Sequence, residues 1–267
     1  MDDAYALLRL QVEWGADEAL DLDPIDRLRA PEPRPAERPA AARAHAATPH
    51  PLAATSHAPV ALRPAPAEQA IALAGQARTL PALREALAGF DGCALRDTAT
   101  NLVFAEGDPS SPTLIIGDPP GRDDDRSGHP FAGPESQLLD QMLASIGLTR
   151  SQLMLAPMLP WRPPGGRPPS PAEIALCLPF LHRLVALLKP RHLLLMGSAP
   201  ARALSPPSAN RRRFPRGWSE LNIPGMQQSQ PFLVLPGLGE MLKNPPLRRD
   251  AWAGLRLLRR ALDQTPT

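Results

Sequence analysis

Short runs of consecutive apolar residues bounded by Gly or Pro recur through the second half of the chain, at residues 113–117, 153–157, 192–197 and 232–236. Runs of this length without polar alternation predict strands buried on both faces. Between them the period lengthens to that of a helix. From Ser136 onward, Leu138, Leu139, Met142, Leu143 and Ile146 share one face. Ser170-Pro171-Ala172-Glu173 is a capping box with proline at the first helical position. It opens a helix that runs towards Lys189 and is expected to bend at Pro179. Near the end, Trp252, Leu255, Leu257, Leu258 and Leu262 alternate with Arg248, Arg249, Arg256, Arg259 and Arg260, the pattern of an amphipathic cover over a sheet. Strands alternating with helices predict an α/β fold: a short, mostly parallel sheet between helices in three layers.

The first part of the chain follows neither period. Of the 267 residues, 36 are proline, and many fall in a stretch where Ala, Pro, Arg and His alternate irregularly. Such a segment buries too little apolar area to offset its ordering entropy. The expected organisation is a short helical segment over residues 1–29, a Pro/Ala-rich disordered linker over 30–75, and one folded domain over 76–267. The pattern around Ala4 to Leu10 and Val12-Trp14 suits a helix docked on its own chain or offered to a protein partner.

The formal net charge of +2 is too small to identify a partner, so the distribution of charge matters more. Arg211-Arg212-Arg213 with Arg216 forms a local basic run. No apolar run approaches ~20 residues, so no membrane span is expected. The start, Met-Asp-Asp, lacks the basic and apolar regions of a signal peptide. Two distant cysteines, Cys93 and Cys177, fit a reducing compartment, and the expected location is cytoplasmic.

The densest punctuation is Gly117-Asp118-Pro119-Pro120-Gly121, followed by Asp123-Asp124-Asp125-Arg126-Ser127-Gly128-His129-Pro130-Phe131-Ala132-Gly133. It closes the first apolar run and so lies at the carboxyl edge of the sheet, where open α/β sheets bind ligands. Before it come Asn101-Leu102-Val103-Phe104 and Gly107-Asp108-Pro109. After it come Trp161-Arg162-Pro163-Pro164-Gly165-Gly166-Arg167 with Glu173 and Cys177, then Asn244-Pro245 with Arg249 and Ala251-Trp252. In this order the motifs resemble those of the uracil-DNA glycosylase superfamily, nearest its family 4 branch, over residues 80–262.

That resemblance implies the superfamily's three-layer domain and a reaction in which a flipped base is stacked, read along its polar edge and released by water. Asp118 stands where relatives usually carry Glu, a carboxylate that orients water, here one methylene shorter. Gly117 and Pro119 flank it at the base pocket. Phe131 falls at the position of the ring that stacks on uracil. Two further positions depart from the pattern. Pro157 replaces the Asn that reads the uracil edge, and Gly237 replaces a His that donates to the uracil carbonyl as negative charge develops. Loss of one such donor commonly costs ~10²–10³ in rate, so weak, altered or absent uracil excision is expected unless a substitute such as His129 or Ser198 supplies a donor.

The same resemblance places Phe90, Cys93, Trp161 and Cys177 where relatives hold four cysteines around an iron–sulfur cluster. Two thiols are too few, so no metal and no cofactor is expected. Ser198, opening a helix after the third apolar run, and Arg211, Arg212, Arg213 and Arg216 are the expected DNA-phosphate contacts. The leading expectation is therefore a DNA repair protein that recognises uracil or another damaged base, with hydrolytic excision by Asp118 if turnover survives. The alternative is a catalytically silent DNA-binding or partner-binding module on the same fold.

Overall fold

A computed structural model describes residues 65–204 and 217–264. The expected N-terminal helical segment, most of the expected linker, and Arg211, Arg212, Arg213 and Arg216 lie outside the described residues. In chain order the elements are α1 (Pro66–Gln76), α2 (Leu80–Gly89), α3 (Leu95–Thr98), β1 (Glu106–Gly107), β2 (Thr113–Gly117), α4 (Arg122–Ser127), α5 (Ser136–Ala144), β3 (Met154–Pro157) and α6 (Pro171–Leu188). They continue with β4 (His192–Met196), α7 (Ser198–Leu204), β5 (Ser219–Leu221), β6 (Gln230–Leu235), α8 (Leu238–Lys243) and α9 (Leu247–Asp263).

The sheet order is β1-β3-β2-β4-β6-β5. The four strands foreseen from the apolar runs, β3, β2, β4 and β6, pair in parallel at the centre. The short β1 and β5 add antiparallel edges, which apolar runs do not reveal because Glu106 and Glu220 are exposed. Alternate side chains feed the two faces. Leu114, Ile116, Leu193, Leu195, Phe232 and Val234 join the core under α1, α2 and α6, whereas Ile115, Leu194, Met196 and Leu235 join the one under α5 and α9. Both faces are therefore covered, which explains why these strands are apolar without alternation.

Three expectations change. The helix α1 occupies all of 66–75, residues assigned above to the linker. Pro66 starts it at a position that needs no N–H donor, the following run is rich in Ala and free of proline, and Ala70 and Ala74 are buried. Its end is tied down by Arg183, whose Nε donates to Ala77 O at 2.8 Å. Secondly, α6 is 18 residues long with mean hydropathy 1.5, long and apolar enough to cross a membrane, although no such run was anticipated. Its Cys177, Phe180, Leu181, Leu184, Val185 and Ala186 are instead buried in the core. Pro179 sits inside this helix as expected. Finally, Trp252 is 48% exposed. On α9 the buried stripe is Ala251, Gly254, Leu255 and Leu258, and Trp252 lies one residue, about 100°, off that line. The Arg256 guanidinium lies 5.0 Å from its ring centre instead.

The carboxylate of Asp125 fixes the entry to the sheet. It is buried and accepts from Thr100 N at 2.7 Å, Thr100 Oγ1 at 3.0 Å and Asn101 N at 3.3 Å. Leu114, wholly buried between two parallel neighbours, sets the core's sensitivity. Leu114→Ala is expected to lower unfolding free energy by about 2–5 kcal/mol, measured by chemical denaturation.

Candidate active site

The parallel strands end in register. Gly117 pairs with Pro157 on one side and Met196 on the other, and Met196 pairs with Leu235. The chain leaves β2 towards β3 on one side and returns to β4 on the other, so the crevice between β2 and β4 is the topological switch point of the sheet, the usual place for a ligand. Asp118 follows β2 there, and Gly197 follows β4.

Asp118 is directed into a notch that two glycines leave open. A Cβ on Gly197 would stand 2.2 Å from Asp118 Oδ1, and a Cβ on Gly237 would stand 2.6 Å from Oδ2. Gly197 has φ +122°, a conformation that also excludes ordinary side chains. Ala199 N, in the first turn of α7, donates to Oδ1 at 3.4 Å. The residue as a whole is exposed, but its carboxyl group is crowded. Loss of solvation raises its pKa to about 6, the Ala199 N–H opposes that rise, and Glu240 adds to it. Arg202 pulls the other way and Glu135 adds a further small rise.

Phe131 lines the same recess as this carboxylate. It adopts φ 55°, unusual for a residue with a bulky side chain, and its ring is seated on Gly117, where a Cβ would come within 2.5 Å of Cζ. Two neighbours hold the loop. Asp124 accepts from Gly121 N at 2.8 Å and from Ala132 N at 2.6 Å, so one carboxylate joins the Gly-Pro turn to the Phe131 loop. Arg150 donates to Phe131 O at 3.0 Å and to Ser136 O at 2.9 Å, and pairs with Asp140.

These groups enclose a cavity of ≈ 80 Å³ with an open mouth. Its lining includes the anticipated Asp118, Pro119, Phe131 and Pro157. Gly117 lies beneath the ring and Gly237 against the carboxylate, so the sequence-derived pocket residues do converge. Gly121, Asp124, Pro130, Glu135, Met196, Leu238 and Gly239 complete the lining and were not foreseen as such. The expected substitute donors do not line it. His129 Nδ1 is 2.9 Å from Glu106 Oε2 at the surface, and Ser198 is half-buried at the start of α7. The adjacent Ala199 N–H is engaged by Asp118.

Phe90, Cys93, Trp161 and Cys177 all lie in one core cluster and are at most 3% exposed. The Phe90 and Phe180 rings meet at 5.4 Å. Hydrogen bonding with Cys93 and burial push the Cys177 thiol well up, which disfavours a thiolate ligand. Among the described residues no group of three or more His, Cys, Asp or Glu could hold a metal ion. Two cysteines, one of them held as the thiol by the other, and two packed aromatic rings do not supply the four thiolates of an iron–sulfur cluster.

Together these features define an α/β domain with a small recess at the carboxyl edge of a parallel sheet, lined by one aromatic ring and three carboxyl side chains, of which Asp118 stands at the switch point. The chain belongs to the uracil DNA glycosylase superfamily, whose family profile matches residues 104–256. It is similar to the type-4 uracil-DNA glycosylase of Pyrobaculum aerophilum, 34% identical over 125 residues, covering 47% of this chain and 64% of that protein. The type-4 enzyme of Archaeoglobus fulgidus is 38% identical over 105 residues, covering 39% and 53%. That of Saccharolobus solfataricus is 28% identical over 181 residues, covering 65% and 82%. The chain thus spans between about half and two thirds of the length of the first two relatives.

Gly197→Ala combines a strained φ with a Cβ inside the Asp118 carboxylate. It is expected to cost about 1–3 kcal/mol of stability, measured by thermal unfolding. Gly239→Ala, whose Cβ would meet nothing within 4 Å, should leave the melting temperature nearly unchanged.

Proposed function

We propose that this chain takes a single flipped base of DNA into the recess beneath Phe131 and hydrolyses its N-glycosidic bond, with Asp118 holding the attacking water. The observation that carries this reading is a carboxylate and an aromatic ring lining one recess at the switch point of the sheet, in a chain of this superfamily. Asp118 faces where C1′ of an extruded nucleotide would stand, and its negative charge would stabilise an oxocarbenium-like sugar. Ser198, Arg211, Arg212, Arg213 and Arg216 would contact phosphates and make binding salt-sensitive.

A second reading, a DNA-binding or partner-binding module without turnover, is favoured by one feature. None of the described residues lining the recess has a side-chain N–H or O–H donor, apart from a protonated carboxyl. Uracil leaves as an anion and needs such a donor at its carbonyl.

The test is single-turnover cleavage, at excess protein, of a uracil-containing single strand and a U·G duplex, with Asp118→Asn alongside. Slow excision that falls at least ~10²-fold further in the variant supports hydrolysis at this site. Salt-sensitive binding with no excision by the wild type supports the second reading.

A working Asp118 must be ionised, so the rate should fall as pH drops below about 6 and level off above it. Because this pKa is raised in the folded state, protonating Asp118 favours folding as pH falls from about 6 towards its ordinary value of 3.8. An acid loss of activity with an undiminished melting temperature would therefore report Asp118 chemistry rather than unfolding.

A further inference from the structure

The recess is not merely short of donors; among the described residues, the charged side chains that line it all have one sign. Asp118 and Glu135 line it together with Asp124, and Glu240 stands behind Gly237, accepting from Gly237 N at 3.2 Å. Arg202 is the cation whose field reaches Asp118. Arg150 turns its guanidinium to Phe131 O, Ser136 O and Asp140. Asp124 is neutralised in part by two backbone N–H groups, but Asp118 accepts, among the described residues, one long bond from Ala199 N at 3.4 Å. The remaining walls include Pro130, Phe131, Pro157, Met196 and Leu238, apolar surfaces that supply no opposite charge.

We propose that the recess selects a base made cationic by N-alkylation, such as N7-methylguanine or N3-methyladenine, rather than neutral uracil. This rests on the reading of the recess as a base pocket and names its substrate class. A ring carrying positive charge is attracted to the face of Phe131 and to Asp118 and Glu135 around it. The chemistry then matches what the pocket has. As water attacks C1′, the pair of electrons in the C1′–N bond passes to the ring nitrogen and cancels the ring's charge. The base departs neutral, the water oxygen bonds to C1′, and its proton passes to the Asp118 carboxylate and then to solvent. No negative charge develops on the leaving base, so neither of the donors replaced by Pro157 and Gly237 is needed. Uracil, in contrast, must leave as an anion among carboxylates.

Asp118 also gains from the replacement. With glycine at 237, the carboxylate occupies the space a side chain there would claim. The same substitution that removes a donor makes room for the acid, and both changes favour a cationic base over a neutral one.

The experiment compares the full chain on one oligonucleotide sequence carrying a single N7-methylguanine or a single uracil, in single turnover. Abasic-site formation is read after strand scission, against a protein-free control for spontaneous depurination. N7-methylguanine should be released at least about 10²-fold faster than uracil, the effect of one missing donor. Release should fall in both Asp118→Asn and Glu135→Gln, with folding of each variant checked by circular dichroism. Uracil released as fast or faster would overturn the cationic preference and leave base excision standing. Release of N7-methylguanine that is equal in wild type and a folded Asp118→Asn would overturn its assignment to this recess. Release of neither base would overturn both the preference and the excision reading.

Discussion

The arrangement of the whole site depends on one close approach, that of the Asp118 carboxylate to the backbones of Gly197 and Gly237. Three parallel strands end side by side, and the segment after each contributes: Asp118 directly after β2, Gly197 at positive φ directly after β4, and Gly237 two residues beyond β6. Only with hydrogen at both glycine positions can the shortened acid turn inward. That turn has two consequences: it takes the carboxylate partly out of water, and it uses the first-turn N–H of α7 at Ala199, so the helix end faces a protein anion rather than open solvent. Asp118 and the glycine at 237 are therefore best understood together as one packed corner.

The rest of the pocket is held by carboxylates with structural tasks. Asp124 joins the Gly-Pro turn to the Phe131 loop, and Asp125 pins the segment before β1 to α4. Consecutive residues in one short helix thus serve different sides of the site, which is why the acidic run 123–125 is better read as scaffolding than as a charged surface. On the far face of the sheet, Phe90, Cys93, Trp161 and Cys177 are closed into the core. Packing there comes from two aromatic rings and two cysteines, where a cluster would need four thiolates.

Much of this was legible in the chain. Four apolar runs gave the central strands because burial on both faces leaves no polar alternation to obscure them, and Asp118, Phe131, Pro157 and Gly237 converge as motif order implied. The edge strands β1 and β5 were not legible, since strands this short gain their order from pairing with a neighbour rather than from composition. Glu135 and Met196 were missed for a similar reason: the lining of a recess depends on how loops fold back over strand ends. Met196 could have been found from register, as the residue paired with Gly117. Trp252 was misplaced because counting apolar residues on a helix cannot resolve a position one step off the buried stripe.

The most direct measurement of the central claim is the titration of the Asp118 carboxyl carbon, followed by NMR in the full chain with a selectively labelled sample and assigned through Asp118→Asn. A midpoint of about 6 would show the acid lodged in its glycine notch. A midpoint close to 4, the ordinary value for an exposed aspartate, would show the carboxylate turned out to water and would contradict the geometry on which the site is built.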